Sequence, residues 1–162
     1  MDTPRSTKGC DTVGERLDRE SIDAHVIDAH VHHVRAIVQE LRRRGAVSAQ
    51  QLQASTELLW YVAYGLRMAA QNAIAVAMHI VVALSGEAPE DYRGALEGLG
   101  RLHVLDEAFA AQIAPMAGLR NILVHGYLRL DAQRLADALG HLDDLTEFAR
   151  SIEAFLAANP KL

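Results

Sequence analysis

From Ser21 to Ala158 apolar residues recur at alternating spacings of three and four, and no run alternates apolar with polar between turn-forming residues. That period belongs to helices, so the pattern predicts an all-α protein, an up-and-down bundle of about five helices. The first is expected from Ser21 to Arg44, with Ile27, Val31, Val34, Val38 and Leu41 on one stripe and Gly45 as its stop. Its "RRR" end places positive charge where the helix dipole favours it. The second helical region starts at Ser48, where Ser48 and Gln51 fit a capping box, and continues to Ser85 and Gly86. Leu59, Val62, Leu66, Ala69, Ala73, Val76, Ile80 and Ala83 keep one seam through it. At about 1.5 Å per residue the piece from Glu57 to Leu84 would be roughly 40 Å long, which suits the spine of a bundle. Small residues in this helix, such as Ala69, Ala70, Ala73, Ala75 and Ala77, would let a neighbouring helix approach closely.

"EAPEDY" reads as a turn, followed by a shorter third helix with Tyr92, Leu96 and Leu99 on one side. A fourth begins near Asp106 and carries Phe109, Ile113, Met116 and Leu123. Pro115 lies inside it and removes a backbone donor, so a kink is expected there. The last runs from about Asp131 to Ala158, with Leu135, Leu139, Leu142, Leu145, Ile152 and Leu156 inward.

Composition narrows the class. The chain has 162 residues, 50% hydrophobic and 23% charged, the balance of one soluble globular domain. Residues 1–20 mix Pro, Gly, Thr and charges without apolar periodicity and are read as a mobile leader, leaving 21–162 as the domain. The leader has no apolar core of a secretory signal, and Arg67, Gln71, Asn72 and His79 interrupt the most apolar run, so a cytoplasmic protein without a membrane span is expected. Cys10 is the single cysteine, which leaves no intrachain disulfide and no cysteine-based metal site. The net charge of −5 is the wrong sign for a broad basic surface, so any nucleic-acid contact would be local, built from a few arginines in a cleft.

One stretch departs from the alanine and leucine background. "LRNILVHGY", Leu119 to Tyr127, sets Arg120, Asn121, His125 and Tyr127 among large apolar residues. Arg120 and His125 are five residues apart, about 140° on an ideal helix, whereas Asn121 and His125 nearly stack. A second copy of the helix across a two-fold axis would bring both pairs into one cleft. Leu119, Ile122 and Leu123 would hold the set against the bundle, and Gly126 would end the helix and deliver Tyr127 beside it. Taken singly, each residue also has a structural use: a surface cation, a buried amide, a helix-terminal histidine, a half-buried tyrosine.

R-N-x-x-x-H-x-Y, present as Arg120, Asn121, His125 and Tyr127, resembles the R-x4-H-x-Y signature of the HEPN superfamily, and within it the HepT-like toxins paired with MNT nucleotidyltransferase antitoxins. "QNAIAVAMHIV" is similar to that family's Q-x-x-I-D-x-A-x-H-I helix, "APEDYRGALEGL" to its P-x-x-Y-x-x-x-F-x-x-L segment, and "APMAGLRNILVHGY" to the approach to the motif. The resemblance covers most of Glu57 to Ala158; Ala75 stands where an acidic residue is common and Leu96 where an aromatic is usual. It implies a homodimeric, metal-independent endoribonuclease with its active site at the dimer interface, the toxin of a type VII-like toxin–antitoxin system. Arg120, His125 and Asn121 would be its catalytic residues. It further implies that an MNT partner uses ATP to adenylylate Tyr127 and so switches the toxin off, while the toxin itself needs no cofactor. The residue chemistry suits these roles: histidine titrates near neutrality, and arginine presents a fixed positive fork to a phosphate. Added AMP beside Arg120 would compete with an RNA phosphate.

Two other readings stand beside this one. A non-catalytic HEPN module would bind nucleotide or dock a nucleotidyltransferase without cutting RNA, and the acidic net charge favours it. A purely structural bundle would use the motif only to end a helix and would be monomeric. The histidines of the first helix, His25, His30, His32 and His33, with Asp23 and Asp28 nearby, lack an H-E-x-x-H arrangement and read as a solvated or dimer-lining polar face rather than a metal site.

Overall fold

The structure, a computed structural model, describes residues 23–125 and 130–160 and, of His125, the backbone. Among the described residues are eight helices and no strand. They are α1 (Ala24–Arg43), α2 (Ala49–Ala54), α3 (Thr56–Ser85), α4 (Tyr92–Arg101), α5 (Glu107–Ile113), α6 (Met116–His125), α7 (Ala132–Leu139) and α8 (Leu142–Ala158). The expected leader, residues 1–20, lies outside the described residues.

The all-helical class holds, and the count of about five helices is corrected by three breaks. The second expected helix divides at Ser55, which is extended (φ −133°, ψ 105°) and turns its side chain to accept from the Leu58 N–H. A serine that caps a new helix ends the old one, because the cap geometry lies outside the helical region. The fourth divides at Ala114 and Pro115; the proline has no N–H to continue α5, and Gly118 N–H returns to the Pro115 carbonyl to start α6. The kink expected there is a full interruption. The last divides at Gly140 and His141, whose N–H groups bond three residues back, to the carbonyls of Asp137 and Ala138, tightening the chain out of the α-helical path. Other signals act as read. Ser48 and Gln51 form the capping box, and Gly45 and Gly86, at φ 73° and 74°, end α1 and α3 in the left-handed region that glycine enters at little cost.

Packing is arranged around α3, which meets α1, α2, α4, α6, α7 and α8. Its inner side is mostly alanine and valine, so neighbouring helices come close without large side chains intervening. At α4 the approach is tighter still. A Cβ at Gly98 would come within 2.9 Å of a Val81 methyl, so glycine is what admits the contact. The α1 stripe of Ile27, Val31, Val34, Val38 and Leu41 is buried as expected. On α8, Leu142, Leu145 and Ile152 are buried, Leu156 is half-buried, and Phe148, absent from the expected stripe, is the largest wholly enclosed side chain among the described residues.

α3 is long and apolar enough to cross a membrane: it has 30 residues and a mean hydropathy of 1.6 in its most apolar window, despite the polar residues Gln71, Asn72 and His79. Its contacts with six helices are those of a bundle core. Gln71, Asn72 and His79 therefore break the apolar run less than the sequence predicts, and their use is in what they bond.

Arg35 on α1 clasps Glu153 on α8 with two bonds, 2.8 and 2.5 Å. Those bonds hold the Glu153 carboxyl below its ordinary 4.5, against the smaller opposing effect of burial. A carboxylate whose folded-state pKa is depressed contributes stability above its unfolded pKa and loses it as pH falls through the folded value. Glu153→Gln is thus expected to destabilise by about 0.5 kcal/mol or less at pH 7, since exposed pairs are worth little, and by nothing once both states are protonated. Urea denaturation at neutral and strongly acid pH measures the difference.

Candidate functional site

The polar residues of α3 leave the helix in different directions. Asn72, buried, donates to the Met68 carbonyl (2.8 Å), so its Oδ1 is the acceptor for His30 Nδ1 at 2.8 Å, tying α3 to α1. His79 Nε2 accepts from the Asp23 N–H at 3.1 Å, at the start of α1. Asp23 in turn caps α1 through the N–H groups of His25 and Val26. Among the described residues no three of the His, Cys, Asp and Glu side chains gather closely enough to hold a metal. His30 is thus a structural partner of Asn72, and His32 and His33 stand exposed with their rings 6.4 Å apart.

Gln71 faces the other way, to α6. Its Oε1 accepts from Arg120 Nε at 2.7 Å, and Arg120 Nη1 donates to the neighbouring Asn121 Oδ1 at 3.3 Å. The guanidinium carbon lies 5.0 Å from the centre of the Tyr92 ring, within cation–π range. Tyr92 is placed there by Asp91, which caps α4 by accepting from the Gly94 N–H at 2.6 Å, so the ring projects from the first helical residue. Helices α3, α4 and α6 therefore converge on one arginine. Beside it a cavity of about 420 Å³ is lined by Asp91, Tyr92, Arg93, Pro115, Gly118 and Asn121, among others.

The burial of α6 explains the aim of Arg120. Ala117 and Leu123 are buried, and Arg120, midway between them, is half-buried. Asn121 is exposed. Ile122 does not anchor the helix as the sequence reading supposed: it is 41% exposed and lines a separate groove, with Met116, Leu119 and Leu145, on the α7–α8 side.

Arg35, Arg42, Arg43, Arg93, Arg134 and Arg150 each pair with a carboxylate. Arg120 is held by no carboxylate among the described residues, a condition that it shares with Arg44, Arg67 and Arg101; what sets it apart is that two side-chain amide oxygens and an aromatic ring fix it. Neutral acceptors fix a guanidinium without neutralising it, so its charge remains available to an anion.

Of the four residues singled out in the sequence, the structure brings Arg120 and Asn121 into contact. His125 has its backbone in the last turn of α6, while its ring, Gly126 and Tyr127 lie outside the described residues. Gln71 and Tyr92 were not foreseen as site residues. A glutamine in a helix without acids from Leu58 to Gly86, and a tyrosine directly after a capping aspartate, are the signals that mark them.

The arrangement of helices has counterparts among solved structures. It is similar to a tri-AMPylated HEPN toxin of Shewanella oneidensis solved in complex with its MNT antitoxin, with a TM-score of 0.70 and 22% identity, covering 80% of this chain and 97% of that one. A toxin–antitoxin structure with AMP-PNP matches equally well, with a TM-score of 0.70, 21% identity and coverage of 80% and 97%. These likenesses define an all-helical HEPN fold. The family model described as ribonuclease HepT-like matches residues 27–152, and the chain belongs to this HepT-like family. In sequence it is similar to the tRNA nuclease HepT of Aphanizomenon flos-aquae (strain 2012/KM1/D3), at 28% identity over 138 residues, 84% of this chain and 93% of that protein.

Proposed function

We propose that this chain is the toxin of a type VII-like toxin–antitoxin pair, a metal-independent endoribonuclease that acts as a homodimer and is neutralised when an MNT-type nucleotidyltransferase adenylylates Tyr127. The observation that carries this reading is the guanidinium of Arg120, held by Gln71, Asn121 and Tyr92 with its charge uncompensated among the described residues. Cutting RNA through its own ribose requires removal of the 2′-hydroxyl proton, formation of a bond from the 2′-oxygen to phosphorus, and departure of the 5′-oxygen, which takes up a proton. The extra negative charge on phosphorus in between is what a fixed cation stabilises. Arg120 takes that part. His125 and its copy in a second chain serve as base and acid, and Asn121 orients the phosphate or the histidine. Tyr127, two residues beyond His125, carries the AMP, whose own phosphate then competes for Arg120. ATP is consumed by the partner, and the toxin holds no cofactor.

Incubating the purified protein with RNA, with and without EDTA, tests the reading. The expected products end in a 2′,3′-cyclic phosphate and a 5′-hydroxyl, formed at the same rate in both. Loss of cleavage in EDTA, or products bearing a 5′-phosphate, would sink it.

A further inference from the structure

Two of the large apolar side chains left exposed among the described residues stand one helical turn apart on α3: Trp60 at 49% and Tyr64 at 60% exposure. The outward face of α3 continues through Arg67, whose guanidinium lies 5.1 Å from the centre of the Tyr64 ring, to Gln71, the residue bonded to Arg120. On a helix of 3.6 residues per turn these four positions fall within about 60° of one another, so they form one line roughly 16 Å long. The line begins with two exposed aromatic rings, the second with Arg67 against one face, and ends at Gln71, which holds the arginine proposed to meet the scissile phosphate.

We infer that this line is the path of single-stranded RNA into the site, with Trp60 and Tyr64 as base-stacking platforms and Arg67 as the phosphate contact between them and Arg120. The inference rests on the ribonuclease reading and deepens it. Every base offers a π-face, so aromatic stacking grips single strands without regard to sequence, and arginine adds cation–π and phosphate contacts. Trp60 and Tyr64 lie about 6 Å apart along the axis, separate enough for each ring to take its own base. The charge is also suited. A chain of net charge −5 repels RNA over most of its surface, yet no aspartate or glutamate occurs from Leu58 to Gly86. A second copy of the chain would also bury exposed tryptophan and tyrosine; RNA is favoured because the rings lie on a face that carries Arg67, leads through Gln71 to Arg120, and holds no carboxylate from Leu58 to Gly86.

Trp60 is the single tryptophan of the chain, so its fluorescence reports on the proposed platform directly. Titrating a cleavage-dead His125→Ala protein with a short unstructured oligoribonucleotide is expected to quench that fluorescence to saturation. The same backbone without bases should leave it unchanged. In the otherwise unaltered protein, Trp60→Ala and Tyr64→Ala should each raise KM for RNA roughly five- to 150-fold with kcat nearly constant, and Tyr64→Phe should restore KM because it keeps the ring. Sedimentation should show the same assembly as the parent. Cleavage with unchanged KM in both alanine variants overturns the inference alone. Dissociation of the assembly on removing the rings also overturns it, since the line would then be a protein interface. A parent protein that cuts no RNA and whose Trp60 does not respond overturns the ribonuclease reading and this inference with it.

Discussion

Arg120→Ala is expected to slow RNA cleavage by about a hundred- to a thousand-fold, the usual cost of removing one donor aimed at charge that develops in the transition state. The fall should be in kcat, because a cation that meets the extra phosphorane charge does its work after the substrate is bound. Folding should be spared. Arg120 and Gln71 are half-buried, not core residues, and Asn121 is exposed, so water can reach Gln71 once its donor is gone. Arg120→Lys should not rescue the rate, since one ammonium cannot donate to Gln71 along the side-chain stem and still present a fork to a phosphate. Rates measured on purified protein, with thermal unfolding beside them, decide the matter. Near-parental cleavage by Arg120→Ala would remove this residue from the chemistry.

Phe148→Ala is expected to act in the opposite way, on the fold and not on the site. Phe148 is wholly enclosed on α8, which packs on α1 and α3, and truncating a buried phenylalanine typically costs about 3 to 5 kcal/mol. For a domain of this size that is roughly 6 to 20 °C in Tm. Urea denaturation gives the free energy, and a loss below about 1 kcal/mol would mean that the core closes over the gap. At low temperature, where the variant remains folded, its cleavage per folded molecule should match the parent. The two substitutions together separate a residue that acts on RNA from one that holds the bundle.

Periodicity carried most of the fold, because a bundle is assembled from faces and every face left its mark at spacings of three and four. The stripe of α1 could be read residue by residue. The breaks at Ser55 and at Gly140 were harder to see: the apolar rhythm runs straight through both, and what ends the helix is a serine hydroxyl on Leu58 in one case and three-residue backbone bonds in the other. Pro115 announced its break because the missing donor is a property of the residue itself. At the site, Arg120 and Asn121 could be named since they lie together in the chain. Gln71 could not, because its partner is 49 residues away and a glutamine inside an apolar helix has many possible uses. Ile122 was misassigned for a related reason: the turn of α6 after Pro115 points it toward the α7–α8 groove, and that rotation is set by tertiary packing.

The clasp between Arg35 and Glu153 spans 118 residues and joins α1 to α8. Chains are made from the N-terminus at about 5 to 20 residues per second, so α1 waits roughly 6 to 24 s for the helix that covers it. Until then α1 can pack on α3, once that is made, but not on α8. The bundle is therefore incomplete until α8 has been made, however early α1 forms.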